Sequence, residues 1–364
     1  VKSRPIRELV VLALFVGSLG AACGAGSLAS PSLASPRAVA TEPPSTAASP
    51  SPSPSGSAAP VKLTVGLGYI PNVQFAQFYL ADQAGYYRDA GLEVTFQNGR
   101  DADLIPLAAQ GQIDIAIADG TSLIPAVSQG IPVRYLATIY AKFPNVVFAK
   151  ASSGITGAAD LKGRKIGTPG KYGSGWIMLQ ALLKSAGLTT DDVSVQLYPD
   201  YGQLTGVQQG QVDAATGFAN NEPLQLERAG TKTVVLPIDG IVPLPGNGLI
   251  AGTNTLATKH DAIARFIAAT LRAMTEISAD PQKGLDAAIV AVPDIATDKA
   301  GQLAVLQATI AMWHDSLTDA KGLGAIDTAG WTTSIAFLAG LPGGLVPNPV
   351  TADRIVDPSL LPMP

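Results

Sequence analysis

The sequence predicts an α/β fold of two similar lobes joined by a hinge of two chain crossings, with a helical C-terminal part packed on the first lobe. Three observations carry this. From Val61 onward, short β-rich runs alternate with helix-period segments, as in layered α/β architectures. The run Gly111-Gln112-Ile113-Asp114-Ile115-Ala116 returns as Gly210-Gln211-Val212-Asp213-Ala214-Ala215, and Ala90-Gly91-Leu92 returns as Ala186-Gly187-Leu188. Beyond Gly252 the strand signal gives way to apolar residues at three- and four-residue steps.

Lys62–Leu67 reads as a strand and Gln74–Ala84 as a helix, and Gly91 precedes the strand Leu92–Gln97. Asp103 is placed to cap a helix running to Gln110, with Pro106 in its first turn, where a missing N–H is harmless. Ile113–Ala118 is the next strand, followed by a helix closed by Gly130 and the strand Val133–Tyr140. The series restarts with the strand Lys165–Thr168, helix Trp176–Ala186, strand Val193–Leu197 and helix Leu204–Gln209. Ile263, Phe266, Ile267, Leu271, Met274 and Ile277 form one apolar helix stripe, and Leu303–Trp313 and Thr328–Leu338 follow as helices. Residues 61–150 and 248–364 are expected to make the first lobe and 151–247 the second, entered near Ala149–Ser153 and left near Gly246–Gly252. Two such crossings make a hinge.

Upstream, Lys2, Arg4 and Arg7 precede the apolar run Leu9–Ala22, which is 14 residues long, short of the roughly 18–20 that span a bilayer. Small residues Gly20-Ala21-Ala22 then meet Cys23, the only cysteine. This is the layout of a secretory signal and resembles a lipoprotein signal over 1–22, with Cys23 as the lipidated residue. Leu19 lies one position further from the cysteine than in the usual pattern. Gly24–Pro60 holds ten Ser, eight Pro and two charged residues. Such a stretch cannot bury enough surface to order itself and reads as a tether. The expectation is an exported, extracytoplasmic, membrane-anchored protein.

Only 14% of the residues are charged, 47% are hydrophobic and the formal net charge is −4. Disorder of the body is excluded, and nucleic-acid binding lacks its basic footprint. One cysteine and two histidines leave little for metal sites or His-dependent catalysis. Gly66-Leu67-Gly68-Tyr69-Ile70-Pro71 fails as a dinucleotide fingerprint at Pro71, and Gly170-Lys171-Tyr172 fails as a phosphate loop at Tyr172. No catalytic residue, metal or cofactor is expected, so the chain reads as a binder and not an enzyme.

In open α/β sheets ligands sit beyond the carboxyl ends of strands. The loops there are Tyr69–Phe75, Asp119–Ser122, Gly170–Trp176 and Phe218–Glu222. They supply Tyr69, Phe75, Tyr172 and Trp176 as ring walls. Asn72, Gln74, Asp119, Thr121, Asn220, Asn221 and Glu222 supply polar edges, with Gly173 allowing close approach. Aromatic faces and side-chain amides suit a flat heterocycle. Each loop also has a structural reading: a turn at Pro71-Asn72, caps at Asp119, Thr121, Asn220 or Asn221, and core packing for Tyr172 and Trp176.

The block from Tyr69 through Ala76, with Phe78-Tyr79, Gly85-Tyr86-Tyr87 and Gly91-Leu92-Glu93-Val94, resembles the solute-binding proteins of ABC importers that carry thiamine-pyrimidine precursors, kin to sulfonate-binding ones. Gly111–Asp114, Gln129-Gly130-Ile131-Pro132-Val133 and Asp160-Leu161-Lys162-Gly163 extend the likeness. Phe218-Ala219-Asn220-Asn221-Glu222-Pro223 resembles the riboflavin-binding branch. The resemblance implies a type II periplasmic-binding-protein fold. It also implies a monomer that traps a thiamine pyrimidine precursor or riboflavin between its lobes and passes it to a permease with its ATPase. Two alternatives come with it. One is a pyrimidine-precursor synthase, although its fungal members carry a cysteine-rich motif that this body lacks. The other is a sulfonate- or nitrate-type anion receptor, for which Arg100, Arg134 and Lys171 are the available cations.

Overall fold

The computed structural model describes residues 59–364 apart from 240, 242, 243, 342, 363 and 364, and without the side chains of 101 and 102. The expected signal, Cys23 and all but the end of the tether lie outside the described residues. Among the described residues, ten strands make two five-stranded sheets. The first sheet has the order β2-β1-β3-β10-β4, from β1 Val61–Gly68, β2 Leu92–Gly99, β3 Ile115–Asp119, β4 Val133–Thr138 and β10 Asn247–Gly252. The second has the order β7-β6-β8-β5-β9, from β5 Asn145–Lys150, β6 Lys165–Thr168, β7 Ser194–Leu197, β8 Ala214–Phe218 and β9 Thr233–Pro237.

The two sheets are built alike. In each, three parallel strands are followed by one antiparallel strand, which is β10 in the first sheet and β5 in the second. Those two strands are the ones that follow the crossings. Because β5 pairs with β8 and β9, the chain leaves the first sheet between Thr138 and Asn145. That is upstream of the expected Ala149–Ser153 and corrects the expected boundary at residue 150. Sequence reasoning missed β5 because Asn145–Lys150 follows the previous strand after only a short turn. The return runs between Pro237 and Asn247, ending at the start of β10.

The repeated letters are the same junction built twice. Gly111 and Gly210 take left-handed φ of 69° and 72°, a conformation glycine adopts without steric cost, and so end their helices. Asp114 N–H donates to the Thr64 carbonyl at 2.8 Å while its Oδ2 accepts from Thr64 N–H at 2.9 Å. Asp213 repeats both bonds with Lys165, at 2.9 and 2.8 Å. The aspartate therefore clamps the parallel strand beside it, which explains why this position is spelled the same way in both halves.

Other boundaries shift by local chemistry. The helix expected from Asp103 begins at Asp101, after Arg100, so Pro106 lies inside it, and Asp103 pairs with Arg100 instead of capping. A single 3₁₀ turn, Val73–Phe75, precedes the helix Ala76–Gln83. The stripe Ile263, Phe266, Ile267, Leu271, Met274 and Ile277 is buried along the helix Thr253–Ala279 in the core that also holds β1. Burying such side chains contributes about 1.5–3 kcal/mol each.

Candidate functional site

A cleft of about 910 Å³, partly open to solvent, lies between residues that follow the two sheets. From the first sheet come Tyr69, Gln74, Phe75, Gln77 and Ile117; from the first crossing and the start of β5, Tyr140 and Asn145. The second sheet supplies Thr168, Pro169, Tyr172, Gly173, Ser174, Gly175, Tyr201, Gln203, Thr216, Gly217, Phe218, Asn221 and Glu222.

The floor differs between halves. The registers Gly66↔Ala116 and Gly167↔Ala215 make Leu67 and Ile117 the counterparts of Thr168 and Thr216. The first pair is apolar and buried. In the second pair Thr216 Oγ1 donates to Thr168 Oγ1 at 3.1 Å. At this level the first sheet presents the apolar Ile117 to the cleft and the second presents the hydroxyls of Thr168 and Thr216.

Glu222 is the one carboxylate among the described lining residues. It opens the helix Glu222–Arg228 and is buried, with Oε2 accepting from Phe218 N–H at 2.8 Å. Burial pushes its carboxyl up to about 7, against the pull of the backbone N–H groups of Phe218 and Glu222. Gly217 makes room for it: a Cβ there would stand 3.0 Å from the carboxylate and 2.8 Å from the Phe148 ring. Tyr69 has its hydroxyl pushed up by burial and then by the charge of Glu222. At the mouth, Tyr172 is 42% exposed.

Several buried amide atoms on the cleft wall have no hydrogen-bond partner among the described residues. They are Gln74 Nε2, both Oε1 and Nε2 of Gln77, Asn145 Nδ2 and Gln203 Oε1. An unpaired buried polar group costs about 1–3 kcal/mol, so this wall is suited to a polar ligand edge or bridging water.

Of the expected site residues, Tyr69, Gln74, Phe75, Tyr172, Gly173, Asn221 and Glu222 line the cleft. Five do not, and four of these have hydrogen-bonding work in the fold. Asn72 Oδ1 accepts from Gln74 N–H at 3.1 Å and caps the 3₁₀ turn. Asp119 caps the helix Gly120–Ser128 through Ser122 N–H at 3.0 Å, and Thr121 donates its hydroxyl back to Asp119. Asn220 Nδ2 donates to Thr309 Oγ1 at 2.8 Å. The fifth, Trp176, packs on the core of the second sheet with Lys171 Nζ 5.7 Å from its ring centroid. On a helix the side chain two positions after Ser174 turns away from the face that Ser174 presents.

The cations considered for an anion site do not line the cleft, although Arg100 reaches Tyr172 at its mouth. Arg100 pairs with Asp103, Arg134 donates to the Val356 carbonyl, and Lys171 lies by Trp176. Sequence reasoning passed over Tyr201 and Gln203, although the rule that selected the other loops also applies to the loop after β7. It missed Asn145 together with its strand, and Gln77 because it lies in a helix and not in the loop before it. Among the described residues no group of three or more His, Cys, Asp or Glu could hold a metal ion.

Residues 72–284 match the family described as NMT1/THI5 like. The chain is 32% identical to the riboflavin-binding protein RibY of Chloroflexus aurantiacus, over 86% of this chain and 91% of that one. It is 26% identical to a 4-amino-5-hydroxymethyl-2-methylpyrimidine phosphate synthase of Aspergillus parasiticus, over 57% of this chain and 64% of that one. Its fold matches the alkanesulfonate-binding protein SsuA of Xanthomonas axonopodis bound to MOPS, with a TM-score of 0.63 and 16% identity, covering 83% of this chain and 100% of that one. The fold is thus that of the type II periplasmic binding proteins.

Proposed function

The chain belongs to the NMT1/THI5-like family, and on that premise we propose that it is an extracytoplasmic substrate-binding protein that captures riboflavin, or a flat heterocycle like it, between two lobes. The observation that carries this reading is the cleft itself. Rings from both sheets (Tyr69, Phe75, Tyr172, Tyr201) and neutral amides surround it, with Glu222 the single carboxylate among the described lining residues. The relation to a riboflavin-binding protein favours a flavin over a thiamine pyrimidine. Ligand contacts to both lobes favour closure, because only the closed state makes both sets. Delivery to an ABC permease, recognised through closure, completes the role. Residues 1–22 would direct export and Cys23 would anchor the protein through its Ser- and Pro-rich tether.

The test is a titration of the purified protein with riboflavin, read by quenching of flavin fluorescence. Saturable one-to-one quenching supports the reading, and absence of binding overturns it. A second reading, a pyrimidine-precursor synthase, is favoured by the likeness to the Aspergillus enzyme. Incubation with iron and pyridoxal phosphate, followed by mass spectrometry for a pyrimidine phosphate, decides between the two.

A further inference from the structure

We infer that Gln74 and Gln77 act as a pair that reads the ligand's ring edge and selects a cyclic imide, one N–H between two carbonyls, over an aminopyrimidine edge. This rests on the flavin-type reading above. Gln77 is fully buried on the cleft wall, with neither its Oε1 nor its Nε2 partnered among the described residues. Gln74 is 5% exposed, lines the same cleft, and its Nε2 is likewise unpartnered. Gln74 lies in the 3₁₀ turn and Gln77 in the first turn of the next helix, and residues three apart on such turns share a face.

Together they offer two amide donors and one acceptor. The acceptor, Gln77 Oε1, needs an N–H, and the two NH₂ groups need acceptors. An imide edge presents that complement: its N–H meets Gln77 Oε1, one carbonyl meets Gln77 Nε2, and the other meets Gln74 Nε2. With the Gln77 amide turned over, the ring nitrogen and amino group of a 2-methyl-4-aminopyrimidine edge satisfy Gln77, but the methyl carbon then sits where Gln74 Nε2 needs an acceptor. A site with buried polar groups rejects the ligand that leaves one of them unpaired.

The test is calorimetric titration of the purified protein with riboflavin, N3-methylriboflavin and 4-amino-5-hydroxymethyl-2-methylpyrimidine, on wild type and Gln77→Leu. Blocking the imide N–H should weaken wild-type binding by about tenfold or more, and Gln77→Leu should shrink that penalty to within about threefold. Should Gln77→Leu fail to fold, Gln77→Met, which keeps the length of the side chain and removes both amide atoms, replaces it in the same cycle with the same expectation. A methyl penalty that is absent, or equal in wild type and variant, overturns the inference and leaves the functional reading standing. Binding of the aminopyrimidine in preference to riboflavin overturns the inference, and so does failure of both to bind, which removes the functional reading with it.

Discussion

The rings of Tyr69 and Tyr201 meet edge to face across the cleft, with centroids 4.8 Å apart and planes at 81°. Tyr69 follows β1 of the first sheet and Tyr201 follows β7 of the second. They are also the two non-glycine residues, among those described, with left-handed φ, 67° and 61°. That conformation costs a non-glycine residue of order 1–2 kcal/mol, comparable to or more than the roughly 0.5–1.5 kcal/mol of an aromatic pair. The ring contact alone does not offset the strain, which points to positioning of the cleft walls as the role of both residues.

Tyr201→Gly separates the two effects. Glycine accepts the left-handed φ without strain, so the thermal midpoint should hold or rise, while loss of the ring should weaken riboflavin binding by about two- to tenfold. An unchanged affinity in the fluorescence titration would remove Tyr201 from the ligand site.

Glu222 sets a pH dependence. Its carboxyl rises from 4.5 to about 7 in the fold, so the buried acid is favoured in its neutral form. Its contribution to stability is complete below about pH 4.5 and is lost as pH rises through about 7, a swing on the order of 3 kcal/mol. Glu222→Gln keeps an oxygen to accept from Phe218 N–H and cannot ionise. Urea denaturation at about pH 4 and about pH 8 should show the variant gaining on wild type at the higher pH. A constant difference between the two proteins would contradict the assignment.

Asp119 and Trp176 should prove structural. Asp119→Ala removes the cap of the helix Gly120–Ser128 and should cost about 1–2 kcal/mol of unfolding free energy. Trp176→Ala should also lower stability, through lost packing. In both variants riboflavin affinity, measured on the folded fraction, should stay within about twofold of wild type. A loss of about tenfold in either variant would return that residue to the ligand site.

Two contacts tie the helix Lys299–Trp313 region to residues after β8, and their burial ranks them. Asn220 and Thr309 are both fully buried and bonded at 2.8 Å, whereas the Arg228–Asp298 pair, at 2.9 Å, has side chains 39% and 58% exposed. Thr309→Val strands the Asn220 amide and should cost about 1–3 kcal/mol. Arg228→Ala should cost under about 1 kcal/mol, and less at high salt. The ranking fails if chemical denaturation gives the reverse order.

Much of the fold was legible from residue order because local rules write it. Gly111 and Gly210 stand just past helices and the Ile263–Ile277 stripe marks a buried face, and neither signal needs a distant partner to be recognised; the repeat of Asp114 at Asp213 was visible, whereas the clamps they make on Thr64 and Lys165 were not. The cleft was half legible. Loops that follow strands were identifiable, and Tyr69, Phe75, Tyr172 and Glu222 from those loops line the cleft. The distinction between a lining amide and a capping amide was not, because Asn72 and Gln74 differ only in where the backbone aims them.

The sequence by itself determined the alternation of strands and helices, the repeated half and the loops at which a ligand site is built, since these follow from periodicity and turn chemistry along the chain. Tertiary structure alone decided that β5 joins the second sheet, that Tyr201 faces Tyr69, and that Gln77 is buried with both amide atoms unpaired among the described residues. Each of these is a relation between segments far apart in the chain, fixed by sheet pairing and close packing, and no local pattern encodes the direction in which a buried side chain points.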